Sequence, residues 1–150
     1  MERKITVLAL CALLFAFLPA DAQQTGKAQR IGLFIPGSQS AFAIWVESFR
    51  QGLRELDYVE GRNIVIESRY ADERTDRLPD LAAELISLKV NVLVATGTQS
   101  IEAARRATRT IPIVFPMTPD PVQAGFVDSF ARPGGNITGL SNVVADGGLL

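Results

Sequence analysis

The stretch Val90-Asn91-Val92-Leu93-Val94-Ala95, followed at once by Thr96-Gly97-Thr98-Gln99-Ser100, is the most restrictive feature of this sequence. The first part is short, rich in β-branched residues and without a helical period. It reads as a strand buried on both faces, as strands of parallel sheets are. The second part is a small polar turn, and Ile101-Glu102-Ala103-Ala104-Arg105-Arg106-Ala107 after it reads as a helix. Strand, turn and helix in that order place free N–H groups and hydroxyls at the C-terminal edge of a sheet, where open α/β sheets bind ligands. The positive end of the helix dipole favours an anionic group there. The same stretch also reads as an ordinary β–α connection, and alone it does not decide between the two.

The rest of the chain repeats the unit. Arg30–Ile35 reads as a first strand, and Pro36-Gly37-Ser38-Gln39-Ser40 as a turn. Phe42, Trp45, Val46, Phe49, Leu53 and Leu56 then recur at helical spacing. Trp45 suits the core or a ligand-stacking position. Asn63–Tyr70 carries charges at Glu67 and Arg69, and reads as a strand near an edge. Asp76 suits a helix N-cap and Pro79 a first turn, ahead of an apolar stripe of Leu78, Leu81, Ala82, Leu85 and Leu88. Asp80, Glu84 and Lys89 form the solvated face of that helix. Thr110–Phe115 is a fourth strand, running into the stiff loop Pro116-Met117-Thr118-Pro119-Asp120-Pro121. Asp120 there is either a turn aspartate capping Val122 onward or a ligand-binding carboxylate. Val122–Phe130 reads as a short helix, Arg132-Pro133-Gly134-Gly135-Asn136 as a turn, and Ile137–Leu140 as a last strand.

Alternating strands and helices with short loops and right-handed crossovers give an α/β fold with a doubly wound parallel sheet. In the order 2-1-3-4-5, the turns after the first, third and fourth strands share one edge. Those turns hold Ser38, Gln39, Ser40, Thr96, Gly97, Thr98, Gln99, Ser100, Thr118 and Asp120, the candidate ligand-binding residues.

Several chemistries are excluded. The chain has 150 residues, no His and a single Cys, Cys11, inside the N-terminal apolar run, so a mature chain without that run offers neither a His/Cys metal site nor a His- or Cys-based catalytic group, and no catalytic or metal residue is assigned. A net charge of −1 gives no reason to expect nucleic acid. G-x-G-x-x-G, Gly-Lys-Ser/Thr and Gly-x-Ser-x-Gly patterns are missing, which counts against an enzyme on a Rossmann-like sheet. At the start, Arg3 and Lys4 precede the nearly continuous apolar run Ile5–Leu18, Pro19 breaks it, and Ala20-Asp21-Ala22 supplies a small-x-small pattern. Residues 1–22 therefore read as a cleavable secretory signal, with a buried N-terminal helix as the other reading. Cys11 lies inside that run, so the mature chain has no cysteine, which suits an oxidising compartment.

Phe49–Leu56 leading to Tyr58-Val59-Glu60-Gly61-Arg62-Asn63-Ile64 resembles a family of ABC transporter substrate-binding proteins, the tryptophan/tyrosine-uptake-like group with a type I periplasmic-binding fold. Asp76-Arg77-Leu78-Pro79, Ile111–Phe115, Asp120-Pro121-Val122 and Ala131–Gly139 extend the resemblance across residues 30–142. Asp57 departs from it, standing where the family has Gly. The resemblance implies a signal peptide at 1–22, a linker at 23–29 and a ligand-binding lobe at 30–141. It also implies that 142–150 is the truncated start of a hinge and second lobe. It further implies a periplasmic location, a small-molecule solute such as an amino acid, an ABC transporter membrane permease as partner, and no cofactor. For an amino acid, Thr98, Gln99 and Ser100 suit the carboxylate, Ser38 and Ser40 add donors, and Asp120 suits the ammonium. Phe42 or Trp45 would wall the side chain. A fragment without binding function is the alternative.

Overall fold

The structure, a computed structural model, describes residues 28–142. The expected signal segment, all but the end of the linker and the last residues of the chain lie outside the described part. Five strands, β1 (Gln29–Ile35), β2 (Ile64–Tyr70), β3 (Val92–Ala95), β4 (Ile113–Thr118) and β5 (Ile137–Ser141), form one parallel sheet in the order β2-β1-β3-β4-β5. The helices are α1 (Gln39–Glu55), α2 (Leu78–Ser87), preceded by a 3-10 turn Thr75–Arg77, and α3 (Gly97–Ala107). The doubly wound α/β sheet expected from the strand–helix alternation is the one found.

Pleat alternation divides the core in two. Phe34, Leu93, Ala95, Ile113 and Phe115 point toward α2 and α3, where they meet Leu81, Leu85 and Ile101. Ile31, Leu33, Ile35, Ile64 and Ile66 point toward α1, which covers them with Val46 and the flanks of Phe42, Trp45, Phe49 and Leu53. On α1 only Val46 is fully buried. Leu56 was expected on the apolar stripe but is 69% exposed, because it is the C-cap and the helix has already ended.

The end of α1 carries a testable strain. Tyr58 N–H donates to Leu53 O (2.9 Å) and Asp57 N–H to Arg54 O (3.0 Å), the paired bonds of a Schellman cap. That cap needs a left-handed residue, and here it is Asp57, at φ 63°. Asp57→Gly is expected to raise stability by about 1 kcal/mol, because glycine adopts this backbone without steric cost. A denaturant midpoint that stays put or falls would refute it.

Three local expectations are corrected. Asp76 does not cap α2: Arg77 occupies that position without a side-chain cap, and Asp76 instead accepts from Arg74 at 2.8 Å. That hydrogen bond, with the arginine's charge, holds the Asp76 carboxyl below its ordinary range. Pro116, Met117 and Thr118 belong to β4 rather than to a loop; the β4–β5 register shifts between Phe115 and Thr118, and such an irregularity admits a proline. Residues 122–130 form turns, not a helix. Gly125 N–H bonds Val122 O and Phe126 N–H bonds Pro121 O, and Gly125 at φ 67° ends the coil after one turn.

The Gly134-Gly135-Asn136 block is a fold device. Both glycines have positive φ, and Asn136 Nδ2 donates to Ile111 O at 2.7 Å, tying the approach of β5 to that of β4. Among the described residues no helix is long and apolar enough to cross a membrane, and no group of His, Cys, Asp and Glu is placed to hold a metal ion.

Candidate functional site

β1, β3 and β4 are adjacent, so their C-terminal turns lie side by side. A β-carbon on Gly97 would stand 3.3 Å from Pro36 Cγ, which shows how closely the turn after β1 meets the start of α3.

The two helix starts at this edge differ. Ser38 caps α1: its Oγ accepts from Ala41 N–H at 3.2 Å and lies 3.1 Å from Ser40 Oγ. Gln39 and Ser40 are thus in the first turn of α1, and the Ser38 and Ser40 hydroxyls are engaged with each other and with the helix. α3 begins earlier than the sequence pattern predicts, at Gly97 rather than Ile101, so Gly97–Ser100 is its first turn. Thr96 holds the N-cap position, but its side chain makes no cap bond. The first amides of α3, on Gly97, Thr98 and Gln99, therefore keep the unsatisfied donors of an open helix start. Thr96 Oγ1 and Ser100 Oγ are both buried and without a hydrogen-bond partner. A buried hydroxyl in that state costs about 1–3 kcal/mol.

Beside this start lies a cavity of about 230 Å3 lined by Thr98, Thr118, Pro119, Asp120, Gln123 and Ala124. It joins three of the sequence-predicted residues: Thr98 in the first turn of α3, Thr118 at the end of β4 and Asp120 in the turn beyond it. Asp120 Oδ1 accepts from Val122 N–H (3.1 Å) and Gln123 N–H (2.8 Å), so the turn-capping reading of this aspartate holds. That cap fixes the carboxyl group at the cavity. Gln123 and Ala124 were not singled out from the sequence, since they reach the cavity only because the chain turns where a helix was expected.

The other candidates are placed differently. The Gln99 side chain lines a separate groove of about 750 Å3 between α2 and α3, together with Leu78, Pro79, Ile86 and Ala103. Ser100 is 0% exposed beneath α3, so its residue contributes to the edge through the helix rather than as a free donor. Trp45 stacks on Phe49 with ring centroids 5.8 Å apart, and Phe42 meets Trp45 edge-on at 6.4 Å. The arrangement as a whole offers amide and hydroxyl donors at one point and a fixed carboxylate a short way off. Such donors suit an anionic group and such a carboxylate a cationic one.

Comparisons with known proteins agree with this architecture. Residues 30–146 match the family model described as ABC transporter substrate binding protein. A tyrosine-binding protein of Clostridioides difficile (strain R20291) is 34% identical over 99 residues, which are 66% of this chain and 29% of that protein. Among solved structures, the ligand-free, open form of a substrate binding protein with adhesive properties from Clostridium difficile is 30% identical. It has a TM-score of 0.70, over 76% of this chain and 39% of that one. A protein of Streptococcus pneumonia in complex with L-Trp shares the fold at 22% identity and a TM-score of 0.70, over 77% of this chain and 39% of its own. The chain thus spans well under half the length of these relatives. With 30–146 covered by the family model, the chain belongs to the family of ABC transporter substrate binding proteins.

Proposed function

We propose that this chain is the solute-binding component of an ABC importer, and that it takes a small amino acid with an aromatic side chain at the C-terminal edge of β1, β3 and β4. The observation that carries this is the open start of α3, with Thr96 withheld from capping, beside the cavity that holds the Asp120 carboxyl. The ligand carboxylate sits on the amides of Gly97, Thr98 and Gln99 with the Thr98 hydroxyl, and the ammonium on Asp120, with Thr118 between. The tyrosine-binding relative, 34% identical over 99 residues, supports an aromatic amino acid. In the same proposal residues 1–22 are a cleaved export signal, 23–29 a linker and 30–141 one lobe of the binding protein, which works in the periplasm with a membrane permease.

An isotope-edited NMR titration of the chain with L-tryptophan tests the site. The amide signals of residues 97–99, 120 and 122–124 are expected to move together and to saturate. Shifts confined to the groove between α2 and α3, or none at all, would sink the assignment.

A further inference from the structure

Glu73 stands apart from the other charged groups of its loop. Ala71, Asp72 and Glu73 are stitched to the end of β1: their N–H groups donate to Ile35 O (2.9 Å), Gly37 O (3.3 Å) and Pro36 O (2.9 Å). This brings the loop after the edge strand β2 back over the turn after β1. A β-carbon on Gly37 would lie 2.9 Å from Glu73 Oε1 and 2.5 Å from Phe42 Cε2, so the carboxylate and the ring both crowd onto the bare Cα of Gly37. The neighbouring acids are neutralised, Asp72 by Arg77 and Asp76 by Arg74. Among the described residues no ion pair reaches Glu73. The loop holds this charge over the turn on two consecutive left-handed residues, Asp72 (φ 53°) and Glu73 (φ 64°).

We infer that Glu73 is a specificity-determining residue, accepting a hydrogen bond from a donor at the far end of the ligand's aromatic side chain. The inference rests on the proposed amino-acid site. With the carboxylate at the start of α3 and the ammonium on Asp120, the β4 side of the edge is occupied by the ligand's polar groups. Its side chain then runs the other way, over Gly97 and Pro36 toward Gly37. There it meets the Phe42 ring on one flank and Glu73 beyond it. A phenol O–H or an indole N–H can donate to the carboxylate. A phenyl ring takes water from the carboxylate and returns nothing, and sites built around a hydrogen bond reject such analogues strongly.

The isosteric pair L-tyrosine and L-phenylalanine, titrated into the chain and followed by amide shifts at Thr98 and Asp120, tests this. Tyrosine is expected to bind about tenfold more tightly or better, the scale of one hydrogen bond to a charged group. In Glu73→Gly, whose new residue suits the left-handed backbone, the ratio is expected to fall to about one, with phenylalanine affinity unchanged. Glu73→Gln should fall between. A tyrosine preference that survives both substitutions, or an equal loss of both amino acids, overturns the inference and leaves the site itself standing. If neither amino acid moves the Thr98 and Asp120 signals of the unaltered chain, the proposed function fails and this inference with it.

Discussion

Leu85→Ala is expected to destabilise the protein by about 2–5 kcal/mol, the range for removing a fully buried leucine and leaving its cavity. Leu85 is 0% exposed and sits where α2 presses on the sheet, in the larger of the two cores. Helix and strands are held there by neighbours on every side, so the gap cannot close cheaply. Val92→Ala is expected to cost about 1 kcal/mol, near the centre of the distribution for point substitutions. The strand pattern alone makes the two sites look alike, but Val92 is only half-buried. Its side chain points to the α1 face, where it packs against the margin of the smaller core without being sealed into it. Chemical denaturation of both variants checks the contrast. Equal losses would mean that the helices cover the sheet evenly.

Asp120→Asn should weaken an amino-acid ligand by about 1.5–3 kcal/mol while leaving the fold intact. Asparagine keeps an Oδ1 acceptor for the Val122 and Gln123 amides, so the turn retains its cap and only the charge is lost. Asp120→Ala removes cap and charge together and is expected to loosen the 121–126 turn as well. Calorimetry of the two variants beside the parent separates these contributions. An Asp120→Asn protein that binds as the parent does would remove the aspartate from the ammonium site.

How far such features are legible in the residues depends on whether they are local. The strands announce themselves as β-branched runs, and short connections with one handedness leave few sheet orders to choose from. The stripe Leu78, Leu81, Ala82, Leu85 and Leu88 is a local helical period; the first four are buried as the spacing predicts, and Leu88, the C-cap of α2, is half-buried. The start of α3 is harder, because Thr96-Gly97-Thr98 has the composition of a turn, and only the sheet beneath it decides that Gly97 is already helical. Residues 122–130 have helical composition, yet Asp120, Pro121 and Gly125 close them into a single turn. The carboxylate of Asp120 is visible in the sequence, but the company it keeps with Thr98 is a consequence of β3 and β4 being neighbours. Glu73 reaches Gly37 through backbone bonds between two segments far apart in the chain, and no period or motif encodes that.

The aromatic ladder on α1 gives the protein a reporter of its own. Trp45 is the sole tryptophan, half-exposed, stacked on Phe49 and touched on its other side by Phe42. Phe42 in turn lies against Gly37, at the edge proposed to take the ligand. One indole emitter is therefore coupled, through a single intervening ring, to the place where a side chain would arrive. Its emission colour and quenching read out occupancy of that edge without any attached dye, as long as the ligand itself carries no indole.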